Sequence, residues 1–340
     1  MMGNTQSHVV ASLSVCTLYL LYAKIYSSYC LLKTKELHSN RQPSLVYLLI
    51  RYLARCLSGT VGSRTQETSL EYTVHDCRLD MHLLRRFCSV AGYGWDYPDT
   101  EYRDIPLCFP ETMCFKLLLM ILTDKNFKLS PAGLIRVRQS LRTLQPVDEL
   151  KKGPFRVRAS VLVYRAVSGG EEVDISLSAM SREQSLVWES VLTLLSKNKT
   201  HGDTTAVSVS GSEDVHLDPK QVTLSLPRFP MMPCSSCDFS LWRVVSALCG
   251  LNALITPRLW MLSVCLAEIE KHRGVKVVSA PASVTAQFTE DTGKVPGKVQ
   301  VWFCDLNETE SQVSQKVCFN VTNHGSNKTS CGRTHFNQCT

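Results

Sequence analysis

Apolar and polar residues change their rhythm several times along this 340-residue chain. Residues 9–23 (VVASLSVCTLYLLYA) carry no charge, and 25–32 extend the run past Lys24. As a helix, that length crosses a roughly 30 Å hydrocarbon layer. Residues 44–57 (SLVYLLIRYLARCL) set apolar positions on one face with Arg51 and Arg55 beside them, which predicts a basic amphipathic helix. Such a helix either lies on a bilayer or packs on the body. Residues 58–71 (SGTVGSRTQETSLE) are polar and contain glycine, so they read as a linker. Residues 80–90 suit a short helix, and 91–98 (AGYGWDYP) a loop.

Beyond the loop the same grammar is written twice. Residues 109–122 (FPETMCFKLLLMIL) form one strongly apolar helix with Pro110 in its first turn, where its missing N–H costs nothing. Strands follow. Residues 134–144 alternate, with Ile135, Val137 and Leu141 on one face and Arg136, Arg138 and Arg142 on the other. Residues 155–163, 173–179 and 185–195 continue the period-two pattern. The second copy has a strand at 221–226, a helix at 258–271, and strands at 275–288, 298–304 and 315–322. A long apolar helix followed by antiparallel strands, repeated, predicts an α+β fold. The expected segments are 1–58 (membrane anchor and basic segment), 59–91 (linker and short helix), 92–200 (first domain), 201–219 (interdomain loop) and 220–340 (second domain).

Charge sharpens the N-terminal reading. The net charge is +7, yet residues 1–58 carry six cations against Glu36 alone, leaving only +2 for the rest. The body therefore offers no basic surface for nucleic acid. Lys33, Lys35 and Arg41 follow the apolar run, which by the positive-inside rule predicts a single-pass anchor with a cytosolic body. The fifteen cysteines are scattered, with Cys234 and Cys237 the one close pair. No second pair completes a zinc site, so structural thiols and no metal are expected. Asn198, Asn307, Asn320 and Asn327 begin glycosylation sequons, the rival signal for a lumenal, glycosylated interaction protein.

Residues from about 92 to 322 resemble a tandem (double) hotdog protein of the MaoC-like hydratase/dehydratase family. Gly133-Leu-Ile-Arg-Val-Arg138, Val187-Trp-Glu-Ser190, Cys237-Asp-Phe-Ser-Leu-Trp-Arg243 and Ile255-Thr-Pro-Arg-Leu-Trp260 carry the likeness. It implies a long central helix wrapped by antiparallel sheet in each half, the first half noncatalytic, and a site for an acyl-CoA or other acyl thioester. It calls for no cofactor.

In that family a carboxylate and an imidazole polarise water for addition to an enoyl thioester. Backbone N–H groups at the start of the central helix receive the thioester oxygen. Carried over residue by residue, Asp238 takes the carboxylate position, Phe239 the aromatic one and Arg243 that of the histidine. Thr256-Pro257-Arg258 replaces the family's Ala-His-Gly. Arginine stays protonated and takes no proton from water, and Pro257 has no N–H to donate. Asp238 and Arg243 are thus the catalytic-position candidates, and Phe239, Arg258 and Trp260 the substrate-binding ones. Trp260 also reads as a core residue of its helix. His201 and His216 read as loop residues, and His272 as a cation suited to a helix C-terminus. Three functions stay open: an eroded hydratase site that keeps acyl-thioester binding, an active (3R)-hydroxyacyl-thioester dehydratase, and the lumenal interaction protein.

Overall fold

The computed structural model describes residues 3–59, 70–99, 104–197, 220–225, 256–274, 279–288, 298–306, 316–323 and 329–335. Helix α1 (Gly3–Leu31) leads to β1 (Glu36–His38) and α2 (Leu45–Ser58). Strand β2 (Glu71–Cys77), α3 (Met81–Ala91), α4 (Phe109–Met113) and α5 (Phe115–Thr123) follow. Then come β3 (Ile135–Thr143), β4 (Phe155–Val167), β5 (Gly170–Met180) and β6 (Leu186–Lys197). The last elements are β7 (Lys220–Ser225), α6 (Thr256–Arg273), β8 (Ala282–Gln287), β9 (Lys298–Leu306), β10 (Lys316–Asn323) and β11 (Thr329–His335).

All eleven strands join one sheet in the order β1-β2-β4-β5-β6-β3-β8-β11-β10-β9-β7. Apart from the parallel β1–β2 pair the neighbours are antiparallel. From its outer edge to the middle, one side runs β2-β4-β5-β6-β3 and the other β7-β9-β10-β11-β8. Each is therefore a strand, a helical stretch and four further strands, woven identically. The seam is β3 against β8, from Arg138↔Gln287 to Thr143↔Ala282, with fully buried Leu141 opposite fully buried Val284.

The expected elements appear with instructive differences. Asp80 caps α3, its Oδ1 accepting from the N–H groups of His82 and Leu83 at 3.0 and 3.1 Å, which halts the fraying of an otherwise short helix. The single helix expected at 109–122 is two abutting helices, broken at Cys114. Every α5 side chain except that of Lys116 is buried, against α2, β2 and β4. Shortening one of its leucines to alanine removes about 2–5 kcal/mol. The stretch expected as a linker ends in β2, which pairs with β4 and so starts the first half of the sheet.

Helix α2 buries Leu45, Leu48, Leu49 and Tyr52 on the body and leaves Val46, Ile50 and Leu57 outside. Along α1, Val15, Tyr19, Leu20, Leu21, Tyr22, Ile25 and Tyr26 are exposed. Among the described residues no helix is both long and apolar enough to cross a membrane.

Candidate functional site

Of the five candidate residues, Arg258 and Trp260 lie on α6 and are described. Asp238, Phe239 and Arg243 lie outside the described residues, as do Cys234, Cys237, His201 and His216.

Arg258 is the third residue of α6 and only 3% exposed. Its guanidinium stands 5.6 Å from the centre of the Phe288 ring, a cation–π arrangement just past the end of β8. Trp260 stacks on Phe87 of α3 at 5.1 Å, and Phe87 meets Phe109 edge-on at 5.4 Å. This side chain therefore knits α6 to the first half of the molecule. His272 Nε2, near the other end of α6, lies 3.2 Å from Glu268 Oε1 one turn earlier.

A second feature was not anticipated. Glu111, the third residue of α4, is buried with Arg136, Gln139 and Ser190. Arg136 Nη2 donates to Glu111 Oε1 at 2.5 Å, and its Nη1 to Gln139 Oε1 at 3.0 Å. Gln139 Nε2 in turn donates to Glu111 Oε2 at 2.7 Å and to Ser190 Oγ at 3.1 Å. The alternation of β3 predicted Arg136 on the same face as Arg138 and Arg142, and that expectation is overturned. A bulge between Arg136 and Arg138 shifts the register against β6 and turns Arg136 inward, where it is 0% exposed. One signal was legible: a carboxylate inside the apolar stretch 109–122 demands a buried partner. With both oxygens bonded and its side chain only 2% exposed, Glu111 is a member of a buried ion pair.

The segment entering α4 meets the middle of α6. Cys108, just before α4, lies against the hydroxyl of Ser263 on α6. Burial pushes the Cys108 thiol up to about 12, and the nearby Ser263 hydroxyl offsets this only partly. Further along α6, Tyr97 donates to both carboxylate oxygens of buried Glu270, at 2.9 and 3.0 Å. Next to them Asp104 accepts from the backbone N–H groups of Ile105, Val147 and Asp148, at 2.9, 2.7 and 2.5 Å. Burial nonetheless drives its carboxyl up to about 6. Among the described residues no group of His, Cys, Asp and Glu could hold a metal ion.

Solved structures share this fold. A MaoC-like dehydratase from Phytophthora capsici superposes with a TM-score of 0.55 at 13% identity, covering 80% of this chain and 96% of its own. HtdX of Mycobacterium tuberculosis gives 0.51 at 14% identity, covering 78% of this chain and 99% of its own. The peroxisomal multifunctional enzyme type 2 of Drosophila melanogaster gives 0.52 at 13%, over 79% of this chain and 48% of its own. The chain has the α+β hotdog fold of the MaoC-like dehydratases. No protein-family model and no curated protein sequence matches it.

Within the MaoC-like fold the start of α6 is the position at which the sequence resemblance places the oxyanion-binding turn. Here that turn carries a proline second and a buried arginine third. Pro257 has no backbone N–H to donate, and the arginine beside it is a permanent cation.

Proposed function

We propose that this is a membrane-anchored, double-hotdog member of the MaoC-like family whose hydratase site is eroded and whose pocket serves to bind an acyl thioester. The observation that carries the reading is Arg258, buried on the first turn of α6 beneath Phe288 and preceded by Pro257. The repeated strand order on either side of the β3–β8 seam supports the tandem architecture. In this reading Arg258 offers a positive charge to an anion at the helix start, either the Asp238 carboxylate or the ligand. Arg243, in the place of the family's histidine, takes no proton from water.

The membrane part of the proposal is supported by the exposed apolar residues of α1 and by the lysines that follow it. Of the run at 9–32, side chains are described from Ser14 onward with the exception of Leu18. Five buried cysteines with raised thiol pKa values, Cys77, Cys88, Cys108, Cys114 and Cys265, suit a reducing cytosol.

The test is an enoyl-CoA hydration assay on the purified full chain with short and long acyl groups. Loss of a positioned acid/base costs about 10²–10⁴ in rate, so turnover at least about 100-fold below that of an intact family member is expected. Ordinary turnover abolished by Asp238→Asn would sink the proposal and establish an active dehydratase.

A further inference from the structure

At the foot of α1, where it meets the body, lies a hollow of about 360 Å³. That is within the roughly 300–1,000 Å³ of small-molecule sites. Lys33, Lys35, Arg51 and Lys125 line it, with Asp124 as the one carboxylate among the described lining residues. Asp124 is engaged within the wall, accepting from the Tyr72 hydroxyl and, at 2.8 Å, from the Asn126 N–H. Buried Arg55 grips the carbonyls of Asp124 and Phe127 and so fixes this loop. Four cations against one carboxylate leave the hollow at +3.

A second hollow of about 470 Å³ flanks the same helix end, lined by Lys24 and Lys116 and by no carboxylate among the described residues. The apolar surface of α1 runs directly into the first hollow, whose wall includes Tyr29 and Leu32. The Lys33 ammonium lies 4.7 Å over the Tyr29 ring. The cations thus ring the last turns of a helix whose outer surface is greasy.

We infer that the hollow lined by Lys33, Lys35, Arg51 and Lys125 binds the phosphate of an anionic phospholipid headgroup, an inference that rests on α1 entering the membrane. Arginine offers a phosphate two parallel N–H donors, and lysines supply mobile charge around it. Tyr29 meets the start of the acyl chains, and α2 faces the same layer with Val46 and Ile50. Each basic residue near a charged bilayer strengthens binding by about fivefold.

The experiment uses the full chain with phosphatidylcholine vesicles, with and without a minor fraction of phosphatidic acid. Flotation reads membrane attachment, and hydrogen exchange at residues 124–126 reads the hollow. Flotation with both vesicles is expected, with slowed exchange only where phosphatidic acid is present. Arg51→Glu and Lys125→Glu should each weaken that protection by at least about fivefold while flotation persists. Lys125 is exposed, so its variant decides the matter if Arg51→Glu disturbs folding. Equal exchange in the two vesicles overturns the headgroup site. Equal protection by inorganic phosphate or free CoA with neutral vesicles also overturns it, in favour of a soluble phosphate. Flotation with phosphatidic acid vesicles alone, with protection intact, overturns the anchor and leaves the site standing. No flotation with either overturns both.

Discussion

In each central helix a proline stands second and a charged residue third, Phe109-Pro110-Glu111 in α4 and Thr256-Pro257-Arg258 in α6. Both charged residues are buried to the same degree, and both helices are flanked by a seam strand, β3 for one and β8 for the other. The first half answers its charge with charge, for Arg136 and Gln139 of β3 bond both oxygens of Glu111. The second half sets its guanidinium over the Phe288 ring, just beyond β8. One scaffold thus tolerates either sign at this buried position when the neighbouring strand supplies a partner. The first half uses the position to hold its own sheet together. In the second, the cation stands on the first turn of α6, beside Phe288.

The comparison breaks first at Arg136. Removing it as Arg136→Ala leaves a buried carboxylate without its cation, which costs about 3–5 kcal/mol. Replacing both partners, as Arg136→Met with Glu111→Leu, should recover most of that loss, because apolar packing substitutes well for a buried pair. Denaturant unfolding of the full chain measures both. A loss below about 1 kcal/mol for Arg136→Ala would mean that water reaches Glu111, and the two helix starts would then differ less than their burial implies.

The pH dependence of the first half is the next largest effect. The loop leading to α4 carries Asp104, raised by burial from 3.8 to about 6 and backed by the neighbouring Asp148. With the folded value above the unfolded one, the folded state holds the extra proton between pH 3.8 and about 6. Stability therefore falls as pH rises through that window, by up to about 3 kcal/mol, and is level above it. Asp104→Asn should flatten this slope in unfolding midpoints taken from pH 4 to 7. An unchanged slope would assign the window to other groups.

Much of this arrangement was legible in the sequence, and particular residues show where legibility ended. The strands at β4, β5 and β6 follow from strict alternation, and a short helix at 80–90 was readable, which the structure caps with Asp80. The helix expected at 258–271 is α6, which runs from Thr256 to Arg273. Strand β11 (TSCGRTH) was missed because it has no apolar alternation, and pairing with β8 and β10 creates it. Strand β2 was missed for a similar reason, since Glu71 and two polar neighbours disguise a strand whose partner β4 lies far along the chain. At the candidate site the helix that carries Arg258 and Trp260 was readable, whereas Asp238, Phe239 and Arg243 lie outside the described residues. The burial of Arg136 was not readable, because a one-residue bulge reverses the faces of a strand and leaves no mark in composition.

The smallest effect tests the second half. If the Phe288 ring carries part of the Arg258 charge, the two substitutions Arg258→Met and Phe288→Leu must be coupled. Methionine keeps most of the arginine's volume without the charge, and leucine removes the ring while leaving an apolar side chain. A cation–π pair at a desolvated site contributes about 0.5–2 kcal/mol. A double-mutant cycle in denaturant should return a coupling of that size, whereas independent sites add to within about 0.5 kcal/mol. The same cycle run with Asp238→Asn in place of Phe288→Leu asks whether the arginine faces the carboxylate that the resemblance puts beside it. A large coupling to Asp238 with none to Phe288 would make the second helix start an ion pair like the first. The contrast between the halves would then be one of partner position alone.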